Sequence, residues 1–175
     1  SKDLLKLIDE VLTITDIDSG NIMFKTETKD VKDIIDKIYY DYIPKVPDHL
    51  QFLKEEDIEI SINTDIFHLS DVITHLLDNA LKFTKEGHIC IGYHYRRNTN
   101  EVELFVEDTG SGIAQEELDL VFSRFYKRDI FTPGMGLGLS VCKIIIDKLN
   151  GRLTASSEIG KGSRFSIFIP CSSAE

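Results

Sequence analysis

Four segments carry residue types that could do chemistry together. In the first, His75 to Lys82 (HLLDNALK), Asn79 interrupts an apolar face. An amide oxygen is a hard neutral ligand, and Mg²⁺ needs only one or two protein oxygens beside waters and phosphate oxygens. A core amide bonded to water is the alternative for a lone Asn. Lys82, one turn further along the same side, could reach a phosphate. In the second, the apolar run Val102 to Glu107 leads into Asp108-x-Gly110-x-Gly112. A strand that ends in a carboxylate and turns on paired glycines suggests a pocket floor that a ligand approaches closely. In the third, Phe122 and Phe125 stand among Arg124, Tyr126, Lys127 and Arg128. The fourth, Gly134-Met-Gly136-Leu137-Gly138, opens a helix, where exposed backbone N–H groups suit an anion. No Walker lysine follows it.

The elements that position these segments follow from periodicity. Residues 3–17 place Leu4, Leu5, Ile8, Val11 and Leu12 at helical spacing, either as a core helix or as the tail of a longer helix that pairs with another chain. Residues 21–28 alternate as a strand. Asp30 caps a helix to Tyr42, stopped by Pro44 and Pro47. Residues 45–56 have no clear assignment. Residues 58–63 alternate as a strand, and Thr64 or Asp65 caps a helix from Ile66 to about Thr84. Strands 88–96 and 101–107 form a hairpin. A helix is expected from about Ala114 to Phe122, a loop over 123–136, and a helix over 137–149 ending at Asn150-Gly151. Strands 152–157 and 163–169 close the chain. This order predicts an α+β fold, a two-layer α/β sandwich whose mixed, mostly antiparallel sheet is covered on one face by helices.

Composition narrows the class. Apolar residues make up 42% and charged residues 29%, as in an ordinary globular domain. The net charge of -10 argues against nucleic-acid binding, which needs a basic face. No apolar run approaches a membrane span. Cys90, Cys142 and Cys171 lie far apart and read as free thiols in a reducing, cytoplasmic setting.

In order and spacing, the four segments resemble the N, G1, F and G2 boxes of the ATP-binding domain of sensor histidine kinases, at 75–84, 108–112, 122–126 and 134–138. The wider superfamily of this Bergerat fold includes the type II topoisomerase, Hsp90 and MutL ATPases. The resemblance covers about residues 30–170. It implies that residues 1–19 are the end of a dimerisation helix, a helical stub, and that 20–175 form the ATP-binding catalytic domain.

By that resemblance Asp108 accepts from the exocyclic amine of adenine, which would select ATP over GTP. Gly110, Gly112 and Ile113 line the base, and Phe83 stacks on it, a core Phe being the other reading. Ser163 supplies a hydroxyl that helps hold the base. Asn79 holds Mg²⁺ between the phosphates, and Asn79, His75 and Lys82 form the catalytic group. Phe125 and Tyr126 contribute to the ATP site, Lys82, Arg124, Lys127 and Arg128 are the candidate phosphate cations, Lys82 the best of them, and 126–135 form the ATP lid. Gly134, Gly136, Leu137 and Gly138 place backbone amides at the phosphates. The implied reaction moves the γ-phosphoryl of ATP to a histidine on a helical dimerisation domain, and from there to the receiver domain of a response regulator. The full protein would be a homodimer, membrane-anchored or not.

Two departures matter. ATP-hydrolysing members often carry Glu four residues before the Asn, and here that position is His75. That inclines the reading toward phosphoryl transfer. The histidines, at 49, 68, 75, 88 and 94, are never followed by the carboxylate that marks the family's acceptor. The alternatives are an ATP hydrolase and a non-catalytic nucleotide-binding regulatory module.

Overall fold

A computed structural model of the chain describes residues 2–123, 126 and 138–171. The elements run α1 (Lys2–Asp18), β1 (Glu27–Asp30), α2 (Val31–Tyr42), β2 (Gln51–Glu55), β3 (Ser61–Thr64), α3 (Ile66–Phe83), β4 (His88–Arg96), β5 (Glu101–Asp108), α4 (Gln115–Leu118), α5 (Gly138–Lys148), β6 (Arg152–Glu158) and β7 (Gly162–Pro170). Five strands form one sheet in the order β2-β4-β5-β7-β6, and β1 pairs with β3 in a separate two-stranded ribbon. Within the large sheet only β2 runs parallel to its neighbour. This is the expected α+β fold with a mixed, mostly antiparallel sheet.

The core lies between the helices and one face of the sheet. Ile89, Ile91 and Tyr93 of β4, Val102, Leu104 and Val106 of β5, and Phe165, Ile167 and Ile169 of β7 supply the sheet side. Ile34, Ile35 and Ile38 of α2, Leu69, Val72, Ile73, Leu76 and Leu77 of α3, and Ile145 and Ile146 of α5 supply the other. Burying each such side chain contributes roughly 1.5–3 kcal/mol, which is why helical and alternating periods are so clear here. The opposite face of the sheet is closed by its own side chains. Phe105 is buried there beneath the Arg164 guanidinium, 3.8 Å from its ring centre, and beside the His94 ring, stacked at 5.2 Å. Glu103, on the same strand and face, accepts from Arg96, Arg164 and Ser166.

Helix α3 is held at its start by Asp65. Its carboxylate accepts from the His68 N–H at 2.9 Å and from the Lys25 N–H at 2.8 Å, capping the helix and anchoring the preceding linker at once. Helix α5 ends in a left-handed Asn150, with the Gly151 N–H bonded to the Ile146 carbonyl and the Asn150 N–H to that of Asp147, a Schellman stop.

Several boundaries differ from the sequence expectation. The strand expected over 21–28 forms only at 27–30, where β3 lies opposite; further back, the Lys25 N–H goes to Asp65 instead of a strand partner. The strand expected over 58–63 is displaced to 61–64. The unassigned stretch contains β2, whose partner β4 lies more than thirty residues away. The helix expected over 114–122 shrinks to Gln115–Leu118, followed by tight turns through Ser123. On α1 the apolar side chains noted in the sequence, Leu4, Leu5, Ile8, Val11 and Leu12, are exposed, whereas Ile14 and Ile17 enter the core. Only the last turn of α1 is therefore a core helix within this chain.

Candidate functional site

The site is built where the end of α3 meets the end of β5. On α3, His75, Asn79, Lys82 and Phe83 recur at helical spacing and line one side. His75, Asn79 and Phe83 are half-buried and Lys82 is exposed, with its ammonium 5.5 Å from the centre of the Phe83 ring. Behind this side, the buried Tyr42 hydroxyl of α2 donates to Asp78 at 2.8 Å and approaches the Thr74 carbonyl at 3.2 Å. That bond fixes the turn of α3 that carries Asn79. Burial, then the Asp78 carboxylate, pushes the Tyr42 phenol well above its ordinary pKa, so it stays a donor.

Asp108 is the last residue of β5, facing Ile89 on one side and Ser163 on the other. Asp108 is 9% exposed, and its carboxylate accepts from the Gly110 N–H at 2.8 Å. Burial raises its pKa above the ordinary carboxylate value, against the opposing pull of the Gly110 and Ser163 N–H groups and the Thr84 hydroxyl. A buried carboxylate with part of its accepting capacity uncommitted suits a ligand's N–H donor.

The loop after Asp108 is clamped to both neighbours. The Ser111 N–H donates to the Phe83 carbonyl at 3.3 Å, and the Ser111 carbonyl accepts from the Gly160 N–H at 2.9 Å. A Cβ at Gly110 would collide with the Phe83 carbonyl and crowd the Asp108 carboxylate. Gly112 has φ of +70°, and a Cβ there would strike the Glu158 carbonyl. Side chains are excluded here because the backbone of three elements meets at this point. The buried Ile113 donates its N–H to the Ser157 hydroxyl at 2.6 Å. The same hydroxyl donates to the Gly162 carbonyl, so the 2.8 Å contact with Ser163 Oγ uses the hydrogen of Ser163. Ser163 thus stands beside Asp108 with its hydroxyl committed to Ser157.

Gly138 opens α5 close to α3. The position its missing Cβ would take lies 3.7 Å from His75 Nδ1 and 3.8 Å from a carboxylate oxygen of Glu10 on α1. The first turn of α5 therefore stands beside both His75 of α3 and the Glu10 carboxylate of α1. Tyr126 packs against the core. Phe125, Lys127, Arg128, Gly134, Gly136 and Leu137, like Arg124, lie outside the described residues. Among the described residues no cluster of three His, Cys, Asp or Glu could hold a metal, and no helix is long and apolar enough to cross a membrane.

Sequence reasoning assigned no role to Thr84, Ser157, Tyr42 or Glu10. Thr84 had a signal, as the polar residue directly after the helix that carries Asn79. Ser157 and Glu10 had none, because only tertiary contact brings them here.

The fold and this arrangement match a known class. Residues 64–173 match the family described as "Histidine kinase-, DNA gyrase B-, and HSP90-like ATPase", and the chain belongs to it. The sensor protein SrrB of Staphylococcus aureus is 34% identical over 97% of this chain and 30% of its own length, so the chain spans about a third of that relative. Among solved structures, the catalytic domain of the histidine kinase ThkA superposes with a TM-score of 0.74 at 26% identity, over 84% of this chain and 96% of that one. The Acinetobacter baumannii histidine kinase AdeS matches at 0.74 and 25%, over 95% of this chain and 78% of that one. Full-length ShkA in complex with AMPPNP shares the fold, with a TM-score of 0.88 at 22% identity, over 98% of this chain and 36% of that one. The chain is a catalytic domain of the histidine kinase type.

Proposed function

We propose that this domain binds Mg-ATP between α3 and the β5 loop and transfers the γ-phosphoryl to a histidine of a helical dimerisation domain. A receiver domain of a response regulator is the acceptor that follows. The observation that carries the reading is the buried Asp108 carboxylate, held at the floor of a glycine loop and set against the helix side that bears Asn79. The carboxylate accepts from the exocyclic amine of adenine. Guanine presents a carbonyl at that position, and two acceptors would face each other at a cost of about 1–3 kcal/mol. Phe83 lies at the end of the same helix and offers a ring face to the base.

Asn79 fits Mg²⁺ as a neutral oxygen ligand on a half-buried helix side, with the remaining positions left to water and phosphate oxygens. When bound, the ion neutralises charge on the phosphates. Lys82 and the first turn of α5 at Gly138 supply positive charge and backbone amides to the same end. In the transfer, the bond from the γ-phosphorus to the bridging oxygen breaks as a bond to an imidazole nitrogen forms, and ADP leaves. The domain contributes position and charge. His75 takes the place where a hydrolytic carboxylate would activate water, which favours transfer over hydrolysis. Residues 1–19 continue into the dimerisation helix, and the exposed Leu4, Leu5, Ile8, Val11 and Leu12 are the side it presents to a partner helix. The domain works in the cytoplasm, and the full protein is a homodimer, membrane-anchored or not.

The test is calorimetric binding of ATP and GTP with and without Mg²⁺, followed by addition of a separate acceptor-helix domain and assay for acid-labile phosphate. ATP-selective, Mg²⁺-dependent binding and labelled histidine are expected. Absence of ATP binding, or equal binding of GTP, overturns the reading.

A further inference from the structure

Three side-chain hydroxyls stand around Asp108, and their commitments differ. The Thr109 hydroxyl accepts from the His88 N–H at 2.9 Å and faces the Glu86 and His88 carbonyls at 3.2 and 3.3 Å. Its hydrogen is used there, on the edge of β4. The Ser163 hydroxyl gives its hydrogen to Ser157, whose own hydrogen goes to the Gly162 carbonyl. The Thr84 hydroxyl differs from both. Thr84 is 4% exposed, its oxygen is fully covered, and it makes no hydrogen bond of acceptable geometry.

A buried hydroxyl without a partner is costly and rare. Its position explains it. Thr84 follows α3 directly in an extended conformation, its N–H bonded back to the Ala80 carbonyl at 3.0 Å. The Phe83 carbonyl carbon joined to its nitrogen lies 3.0 Å from where a Gly110 Cβ would sit, and Asp108 Oδ1 lies 2.9 Å from that same point. The backbone that enters Thr84 and the Asp108 carboxylate thus flank the same point beside Gly110. The Thr84 hydroxyl also acts to keep that carboxylate ionised against the effect of burial.

We propose that Thr84 is a positioning residue of the base-reading site: its hydroxyl closes on the Asp108 carboxylate when the nucleotide binds and keeps it a pure acceptor aimed at the exocyclic amine. This rests on the ATP reading above. A protonated Asp108 would present an O–H to the amine, a donor facing a donor, and selectivity would fail. The Gly110 and Ser163 N–H groups already favour the ionised form, yet burial still drives the carboxylate toward the neutral one. Thr84 is the hydroxyl left to oppose it, because Ser163 is diverted to Ser157.

The experiment compares the parent chain, Thr84→Val and Thr84→Ser, titrated with ATP and with purine riboside triphosphate, which lacks the exocyclic amine, across a series of pH values. Thr84→Val is expected to weaken ATP about 3- to 10-fold at neutral pH, the range one neutral hydrogen bond supplies, with the loss growing as pH falls. The amine-free nucleotide should bind both proteins alike, and Thr84→Ser should restore ATP affinity. Unchanged ATP binding by Thr84→Val, equal loss for both nucleotides, a loss that does not depend on pH, or failure of Thr84→Ser to restore overturns the proposal. A parent chain that binds no ATP overturns the functional reading itself, and this inference with it.

Discussion

The carbonyl of Phe83, the last residue of α3, accepts a hydrogen bond from the N–H of Ser111, three residues beyond Asp108. This bond ties the helix that carries Asn79 to the loop that follows the carboxylate. The two halves of the site, proposed to take base and phosphate, are thereby fixed relative to each other by backbone. The bond requires close approach, and Gly110 permits it.

Gly110→Ala should therefore be felt twice. The new methyl meets a backbone carbonyl, which cannot rotate away, and the Asp108 carboxylate. Overpacking of this kind costs about 1–3 kcal/mol. Gly160→Ala is the contrast, since φ there is +79° but nothing lies within 4 Å of the added atom. Its cost is left-handed strain alone, about 1–2 kcal/mol. Urea denaturation measures both losses; nucleotide titration should show weakened ATP binding for Gly110→Ala and parental binding for Gly160→Ala.

Asp108 is expected to oppose stability in the native state. Its folded pKa is raised, so between the unfolded and folded values the native chain binds more protons than the unfolded chain. Stability conferred by the neutral form is present below the unfolded value and is lost as pH rises through the folded one. Asp108→Asn keeps an acceptor for the Gly110 N–H and removes the buried charge. It should melt above the parent at neutral pH, and the gap should close as pH falls. Its preference for ATP over GTP should also fall. Thermal melts along a pH series would refute this if the variant melted below the parent at neutral pH.

Glu103 should behave in the opposite sense. Burial raises its pKa, but bonds from Arg96, Ser166 and Arg164 outweigh burial and hold it below the ordinary value. Its contribution is present above the unfolded pKa and is lost as pH falls through the folded one. Glu103→Gln should cost roughly 1.5–3 kcal/mol, the range for hydrogen bonds to a charged group. The variant should also lose less stability on acidification than the parent. Because Glu103 lies on the sheet face away from α3, ATP affinity should not change.

Tyr42→Phe removes the hydroxyl that joins α2 to Asp78. The expected loss is about 1 kcal/mol, read as a lower urea midpoint with an unchanged slope. Since Asp78 precedes Asn79, Mg²⁺-dependent ATP binding should also weaken, and a variant with parental affinity would show that this turn of α3 needs no support from α2.

Much of this molecule was legible from its chain. The cap at Asp65, the apolar side of α3, the hairpin of β4 and β5, and the stop at Asn150-Gly151 follow from local periodicity and turn chemistry, which act over a few residues. The order of Asn79, Asp108-x-Gly110-x-Gly112 and the later glycines named the class, because close backbone approach leaves glycine where other residues collide. Tertiary structure decided the rest. The strand β2 had no signal of its own, since its register comes from parallel pairing with distant β4. The length of the strand before Asp30 was set by where β3 lies opposite it, not by its alternation. Which apolar residues of α1 are covered depended on α5 lying beside its last turns. Most consequentially, Ser163 and Thr84 are both hydroxyls beside Asp108, and no sequence pattern ranks them. A hydroxyl has one hydrogen to give, and only the fold shows that Ser163 has given its hydrogen to Ser157 while that of Thr84 remains uncommitted.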